Sequence, residues 1–184
     1  MVAANLAIDF ANTVVDPSGH PAGALRTWPD FVAFLKSTRS VEEPWITRNS
    51  RKSAAVFAVV RKLRGSIRDI LAALASGEKV PRKPVESINR VLALHAGCPK
   101  LVLGRKGWEL THVRQCTDAA RILFPIAEAA ARIVTGGAKA GVRKCGNPAC
   151  VLFFQDKTGR RRWCSMAVCG NRAKVAAFAS RNKQ

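Results

Sequence analysis

Negative charge is what this sequence most lacks. Twelve Asp and Glu stand against 31 Lys and Arg in 184 residues, a formal charge of +19 at neutral pH. An excess of this size favours a polyanionic partner, and charge alone does not choose between DNA, RNA and an anionic lipid surface. Long apolar runs are missing too. The longest, Ala54 to Val60, falls far short of the roughly 18 residues of a membrane span, so no membrane partner is expected. Met1 to Val15 lacks a basic start and carries Asp9 within its apolar stretch. It does not read as an export signal, and a cytoplasmic location is expected. Histidine is limited to His20, His95 and His112, scattered without the H-E-x-x-H spacing of a hydrolytic zinc site. No nucleophile motif accompanies them, so the chain is expected not to be an enzyme. What is plentiful is apolar side chain, 48% of the total, enough for a real core and against wholesale disorder.

The cysteines are unevenly spread. Cys145, Cys150, Cys164 and Cys169 fall within 25 residues as C-x4-C-x13-C-x4-C, whereas Cys98 and Cys116 stand apart. In a reducing compartment a paired cluster points to a metal rather than to disulfides. The isolated pair reads as small buried hydrophobes. Charge divides the chain at the same place. From Lys139 to Gln184 there are 11 basic residues and one acidic residue, Asp156, a net +10 over 46 residues. The first 138 residues carry 20 basic and 11 acidic, a charge density about a third as great. Gly136, Gly137 and Gly141 lie between the two parts, where a helix should stop and a linker begin. The expected organisation is a domain over 1–138 and a compact basic module over 139–184.

The N-terminal part reads as α+β, mostly helical, with a small sheet. Leu6 to Thr13 (LAIDFANT) is apolar with Asp9 and Asn12 embedded, before the turn signal Asp16-Pro17-Ser18-Gly19. A helix is predicted after Thr27, with Pro29 in its first turn and Phe31, Phe34 and Leu35 buried. The strongest helix runs from about Ser53 to Ser76. Val56, Val60, Leu63, Ile67, Ile70, Leu71 and Leu74 keep one face apolar, and Gly77 supplies a stop. Arg61, Lys62, Arg64 and Arg68 occupy its other faces and read as solvated, or as an extension of a polyanion footprint. Pro84 opens another helix with Ile88, Val91, Leu92 and His95 inward, ended by Gly97. Lys100 to Leu103 and Trp108 to Val113 alternate as a hairpin about Gly104 to Gly107. Thr117 then caps a long Ala-rich helix to Thr135, bent at Pro125.

Four thiolates suit zinc, which accepts tetrahedral sulfur without redox demand. Each cysteine turn begins alike, Cys145-Gly146-Asn147 and Cys169-Gly170-Asn171. Glycine there permits positive φ, so that backbone N–H groups turn toward sulfur. Between the pairs, Val151 to Phe154 and Arg161 to Ser165 are predicted to form a hairpin about Asp156-Lys157-Thr158-Gly159. Asn171 is predicted to cap a helix to about Arg181, with Val175, Phe178 and Ala179 inward. Pair, hairpin, pair, helix is the order of a treble-clef zinc finger. A 46-residue piece with few large apolar residues does not hold a core alone. Structural zinc contributes roughly 10–16 kcal/mol apparent at neutral pH, ample to fold it. Four protein sulfurs also close the coordination shell, which leaves no position for activated water.

Arg161-Arg162-Trp163-Cys164-Ser165-Met166, followed by Cys169-Gly170-Asn171-Arg172 and Lys174, resembles the CGNR zinc finger family. Cys145, Cys150, Phe153 and Asp156 fit the same pattern. Leu6 to Thr13 is similar to the opening motif of the ABATE domain, which precedes that finger in a family of stress-induced transcription regulators. Ile8 stands for the usual leucine there and Ala11 for a larger aliphatic residue. The resemblance implies a zinc-dependent, DNA-binding regulator with one structural Zn2+ on Cys145, Cys150, Cys164 and Cys169.

The remaining candidates carry two readings each. Arg160, Arg161 and Arg162 can meet phosphates or offset the −2 charge of a Zn(Cys)4 centre. One of the triplet is expected to face the module's own structure, the others solvent or a polyanion. Arg172 divides between a structural hydrogen bond and a phosphate contact. Lys174 and Arg181, seven residues apart, share a helical face predicted to lie away from Val175 and Phe178, and with Arg143, Lys144 and Lys183 lean toward polyanion contact. Trp163, beside a ligand, reads as packing. Asp9, Asn12 and Thr13 cap or turn the chain, or line a small-molecule effector pocket. The functional expectation is a DNA-binding regulator meeting phosphates through these cations, with the N-terminal domain sensing a signal or forming a homodimer. The alternatives are an RNA-associated or protein-interaction zinc module, and an effector-binding N-terminal domain.

Overall fold

The computed structural model describes residues 5–14, 25–40, 54–94, 98–105, 107–113 and 118–181. The Asp16–Gly19 turn, His20, His95, Gly97, Cys116, Thr117 and Lys183, together with the side chains of Cys98 and His112, lie outside the described residues. Among the described residues the fold is mostly helical, with two small two-stranded sheets.

Helix α1 covers Leu6–Asn12, and Asn5 caps it by accepting the Ala7 N–H on its Oδ1 at 3.0 Å. Helix α2, Trp28–Thr38, begins with a reciprocal cap: Thr27 Oγ1 accepts the Asp30 N–H, and the Asp30 carboxylate accepts the Thr27 N–H at 2.7 Å. That arrangement satisfies two of the otherwise orphaned N-terminal donors. Helix α3 spans Ala54–Ser76 and stops at Gly77, whose φ of +76° only glycine adopts readily. Helix α4 is Arg82–Ala93, with Pro84 in its first turn and Ser87, Ile88 and Val91 buried. Strands β1 (Cys98–Gly104) and β2 (Gly107–Val113) pair antiparallel with Leu103 opposite Trp108. Helix α5 runs from Asp118 to Gly136 with Pro125 inside it.

One core joins these helices. Ile8, Phe10, Phe31, Leu35, Val60, Leu63, Ile67, Leu71, Ile122, Leu123 and Ile126 are all within it and almost fully buried. Phe10 lies tilted against Phe31 and Phe34, with ring centroids 6.0 and 5.6 Å away.

The expected linker after α5 is a single tight turn, a 3-10 helix over Gly137–Ala140. Gly141 follows at φ +64°, and its carbonyl accepts the Asp156 N–H at 2.7 Å. Ala140, Val142 and Phe153 bury themselves in the same core as the N-terminal helices. The basic module is therefore docked on the rest of the chain.

Within the module the expected hairpin does not form. Strand β4, Phe153–Gln155, pairs antiparallel with β3, Val142–Lys144, placing Lys144 opposite Phe153. The physical reason is that the first cysteine turn is itself the hairpin loop, closed where the Cys145 N–H donates to the Leu152 carbonyl at 3.0 Å. Residues 161–165 instead lie against the cysteines, with the Gly146 N–H donating to the Arg162 carbonyl at 2.9 Å.

A one-turn π-helix, Met166–Gly170, leads into helix α6, Asn171–Arg181. Here too the expectation needs correcting. No residue of α6 is buried, and Val175 and Phe178 are 68% and 61% exposed. Its main contact is the π turn behind its first residues, and among the described residues no element buries its apolar side chains. Asn171 does not accept helix N–H groups; its side-chain amide donates back to the Ala167 carbonyl at 3.0 Å.

Candidate metal centre and basic surface

The four cysteines come from three pieces of chain that local hydrogen bonds hold in place. Cys145 follows β3 directly. Asn147 makes the first turn, its Oδ1 accepting the Ala149 N–H and its carbonyl the Cys150 N–H. Cys164 is fixed by its own N–H, which donates to Cys145 Sγ at 3.4 Å. Cys169 sits in the π turn, where the Gly170 N–H reaches the Ser165 carbonyl at 3.0 Å.

All four Sγ atoms lie within 4.8 Å of one another. Cys150 Sγ is 3.8 Å from Cys164 Sγ, which is 3.6 Å from Cys169 Sγ. A tetrahedral zinc with bonds of about 2.3 Å requires sulfurs about 3.8 Å apart. The geometry fits one Zn2+, and Cys145, Cys164 and Cys169 are buried, as a structural site requires. Without a cation the cluster resists carrying charge. Burial pushes the Cys150 thiol up to about 11, and burial also raises Cys164. Cys145 is the exception: burial acts to raise it, but N–H donors from Asn147 and Cys164, with the Cys164 and Cys150 thiols, bring it below the ordinary value. Zinc would displace the remaining thiol protons, so its binding is coupled to pH.

The glycines of the two turns serve another end than expected. Neither Gly146 nor Gly170 has positive φ. What each provides is close approach. A Cβ on Gly146 would lie 3.0 Å from Arg162 Cγ, and one on Gly170 would strike Met166 Sδ and lie 3.2 Å from Trp163 Cδ1. Trp163 packs against the cysteine cluster.

Asp156 organises the next turn. Its carboxylate accepts from the Thr158 hydroxyl at 2.7 Å, the Thr158 N–H at 3.0 Å and the Arg161 N–H at 2.7 Å. The Thr158 hydroxyl, the Arg161 N–H and the nearby Arg143 charge hold its pKa at about 2.

The cationic candidates separate into two groups. Arg161 turns inward: its guanidinium donates to the Cys164 carbonyl at 2.9 Å and lies 4.8 Å over the Phe154 ring. Arg162 lies 4.9 Å over Trp163. Two of the triplet thus brace the metal turn, where one was expected. Arg143, Lys144, Arg160, Arg172, Lys174 and Arg181 are exposed, and Arg161 and Arg162 also remain exposed beyond these contacts. Phe178 stands four residues from Lys174 and three from Arg181, so it shares their side of α6 instead of facing away.

Asn12 has a role that local reading did not find. Its Nδ2 donates to the Phe153 carbonyl at 2.8 Å, and its Oδ1 accepts the Phe153 N–H at 3.0 Å. The amide pairs with β4 as another strand would, across 141 positions of sequence. Arg68, for which the sequence offers a solvated face or a polyanion footprint, bridges the same junction from α3. It donates to the Ala11 carbonyl at 3.0 Å and the Val151 carbonyl at 3.1 Å, over the Phe153 ring at 5.2 Å. Arg64 likewise donates to the Thr13 and Leu25 carbonyls. Thr13 directs its own hydroxyl to the Phe10 carbonyl at 2.6 Å. The signal for both arginines was available, since 60, 64, 68 and 71 run along one side of α3 at four- and three-residue steps.

No helix among the described residues is long and apolar enough to cross a membrane. The family model for the ABATE domain, described as "Putative stress-induced transcription regulator", matches residues 4–137. The model for the CGNR zinc finger matches residues 142–182. No curated protein matches the chain.

Proposed function

Because the chain belongs to the ABATE family and ends in a CGNR zinc finger, we propose that it is a zinc-dependent, DNA-binding transcription regulator that answers a stress signal. The division of labour follows the charge: residues 139–184 bind DNA, and residues 1–138 receive the signal. The protein works by binding and not as an enzyme, in the cytoplasm. The observation that carries this reading is the set of exposed cations, Arg143, Lys144, Arg160, Arg172, Lys174 and Arg181, projecting from a scaffold that four clustered cysteines hold together. Asp156 is the module's one acidic residue, and it is spent on its own turn. Its charge reaches Arg143 in that surface, and against 11 basic residues the module keeps a net +10.

Zinc supplies rigidity when bound, and the residues supply the rest. Arg161 ties the 160–164 segment to Phe154, and Arg162 stacks on its neighbour Trp163, while Arg160 is exposed. Phosphate contacts of this kind position a protein on the duplex without reading sequence. The test is a titration of the zinc-loaded chain against a random-sequence duplex at several salt concentrations. The logarithm of affinity should fall linearly with the logarithm of salt, by about 0.9 per phosphate contact. Chelation should abolish binding. Absence of duplex binding at low salt, or preference for structured RNA in competition, would overturn the reading.

A further inference from the structure

Helix α6 is anomalous in a way that bears on how the duplex is met. It ends the described chain without burying a residue, yet it carries Val175 and Phe178 more than three-fifths exposed. At about 100° per residue, these two lie within about 60° of one another on one strip of the helix. Lys174 and Arg181 flank the strip on the Phe178 side, and Arg172 flanks it on the Val175 side. The surface is an apolar ridge between two cationic edges.

The occupant of such a ridge must be apolar in its middle and anionic at both margins. A protein partner would need two acidic rows spaced to match. The major groove of B-DNA has this profile by construction: two phosphate walls about 12 Å apart, wide enough for an α-helix, with base edges between them. Thymine presents its 5-methyl group into that groove and is a recognised apolar contact for side chains such as Phe. The helix also has reason to seek a partner. At 11 residues it is shorter than the roughly 12–15 at which an isolated helix becomes marginal in water.

Resting on the DNA-binding reading above, we propose that α6 is the major-groove element of the finger. Val175 and Phe178 lie against thymine 5-methyl groups, while Arg172 on one flank and Lys174 and Arg181 on the other take phosphates from the two strands.

The experiment uses the full zinc-loaded chain and two 24-base-pair alternating A·T duplexes, one with thymine and one with deoxyuridine in its place. Wild type should bind the thymine duplex about three- to tenfold more tightly. Phe178→Ala should bring thymine affinity down to the uracil level and leave the salt slope unchanged. Lys174→Ala should reduce the slope by about 0.9 and keep the thymine preference. Both substitutions are at exposed positions, so folding is not at stake. If wild type binds both duplexes equally and Phe178→Ala binds like wild type, the major-groove assignment is wrong while the DNA reading stands. If Phe178→Ala converts a dimer to a monomer with duplex affinity unchanged, the ridge is a self-association surface and the assignment is again wrong. If wild type binds neither duplex at low salt, the DNA reading fails, and the assignment with it.

Discussion

The side-chain amide of Asn12 pairs with both backbone groups of Phe153, so the first helix of the chain holds a strand of the zinc module. Phe153 is itself buried in the core that the helices share. The module's position therefore depends on a residue 141 positions away in the sequence.

Replacing Asn12 by Ala removes both bonds and leaves the Phe153 N–H without its partner. The expected cost is about 1–3 kcal/mol, measured by urea unfolding of the zinc-loaded chain. Amide exchange at Phe153 should speed up by at least a matching factor. Equal protection of the Phe153 amide in both proteins would contradict the pairing.

Arg68 reaches two carbonyls and one ring with a single planar group. Lysine keeps the charge but cannot fork or stack in this way. Arg68→Lys should thus destabilise the protein nearly as much as Arg68→Ala, by about 1–2 kcal/mol. Recovery of wild-type stability in the lysine variant would show that charge alone matters there.

Gly141 should be the least tolerant glycine of the module. A Cβ would sit 2.7 Å from the Asp156 carbonyl oxygen and 3.0 Å from the Lys157 nitrogen, at φ +64°. Backbone atoms cannot swing aside, and the left-handed conformation adds roughly 1–2 kcal/mol for any L side chain. Gly141→Ala should lose well over 2 kcal/mol in the same unfolding measurement. Gly77→Ala, left-handed but in open space, should lose only the conformational share.

The Asp156 turn predicts a pH-independent ratio. Its carboxyl is held at about 2, below the ordinary 3.8. A lowered folded-state pKa gives stability that is complete above the unfolded value and lost only as pH falls from about 4 toward 2. Zinc affinity itself should weaken between pH 8 and 5, because protons compete for the thiolates. Asp156→Asn should weaken zinc binding by the same factor at pH 8 and at pH 5, read by competition with a chromophoric chelator. A ratio that narrows across that range would mean the carboxyl titrates there.

Local signals carried much of this fold. The Thr27 cap, the apolar stripe of α3 and the paired cysteine spacing are short-range patterns, and each element stands where its pattern puts it. Other features had no local signature. The bonds of Asn12 and Arg68 join residues 141 and 83 positions apart. Strand β3 is three residues long, too short for alternation to declare itself. Val175 and Phe178 looked like a buried face because apolar spacing says which residues share a side, not whether anything covers it. At Gly146 and Gly170 the turn context points to backbone freedom, whereas contact with Arg162, Met166 and Trp163 is what excludes a side chain.

The measurement closest to the centre of the account is zinc K-edge X-ray absorption on the purified 184-residue chain, with metal content determined on the same sample. The sulfur cluster predicts one zinc per chain and a single shell of four sulfurs at about 2.3 Å. A shell containing nitrogen or oxygen, or a folded chain with no stoichiometric zinc, would contradict it.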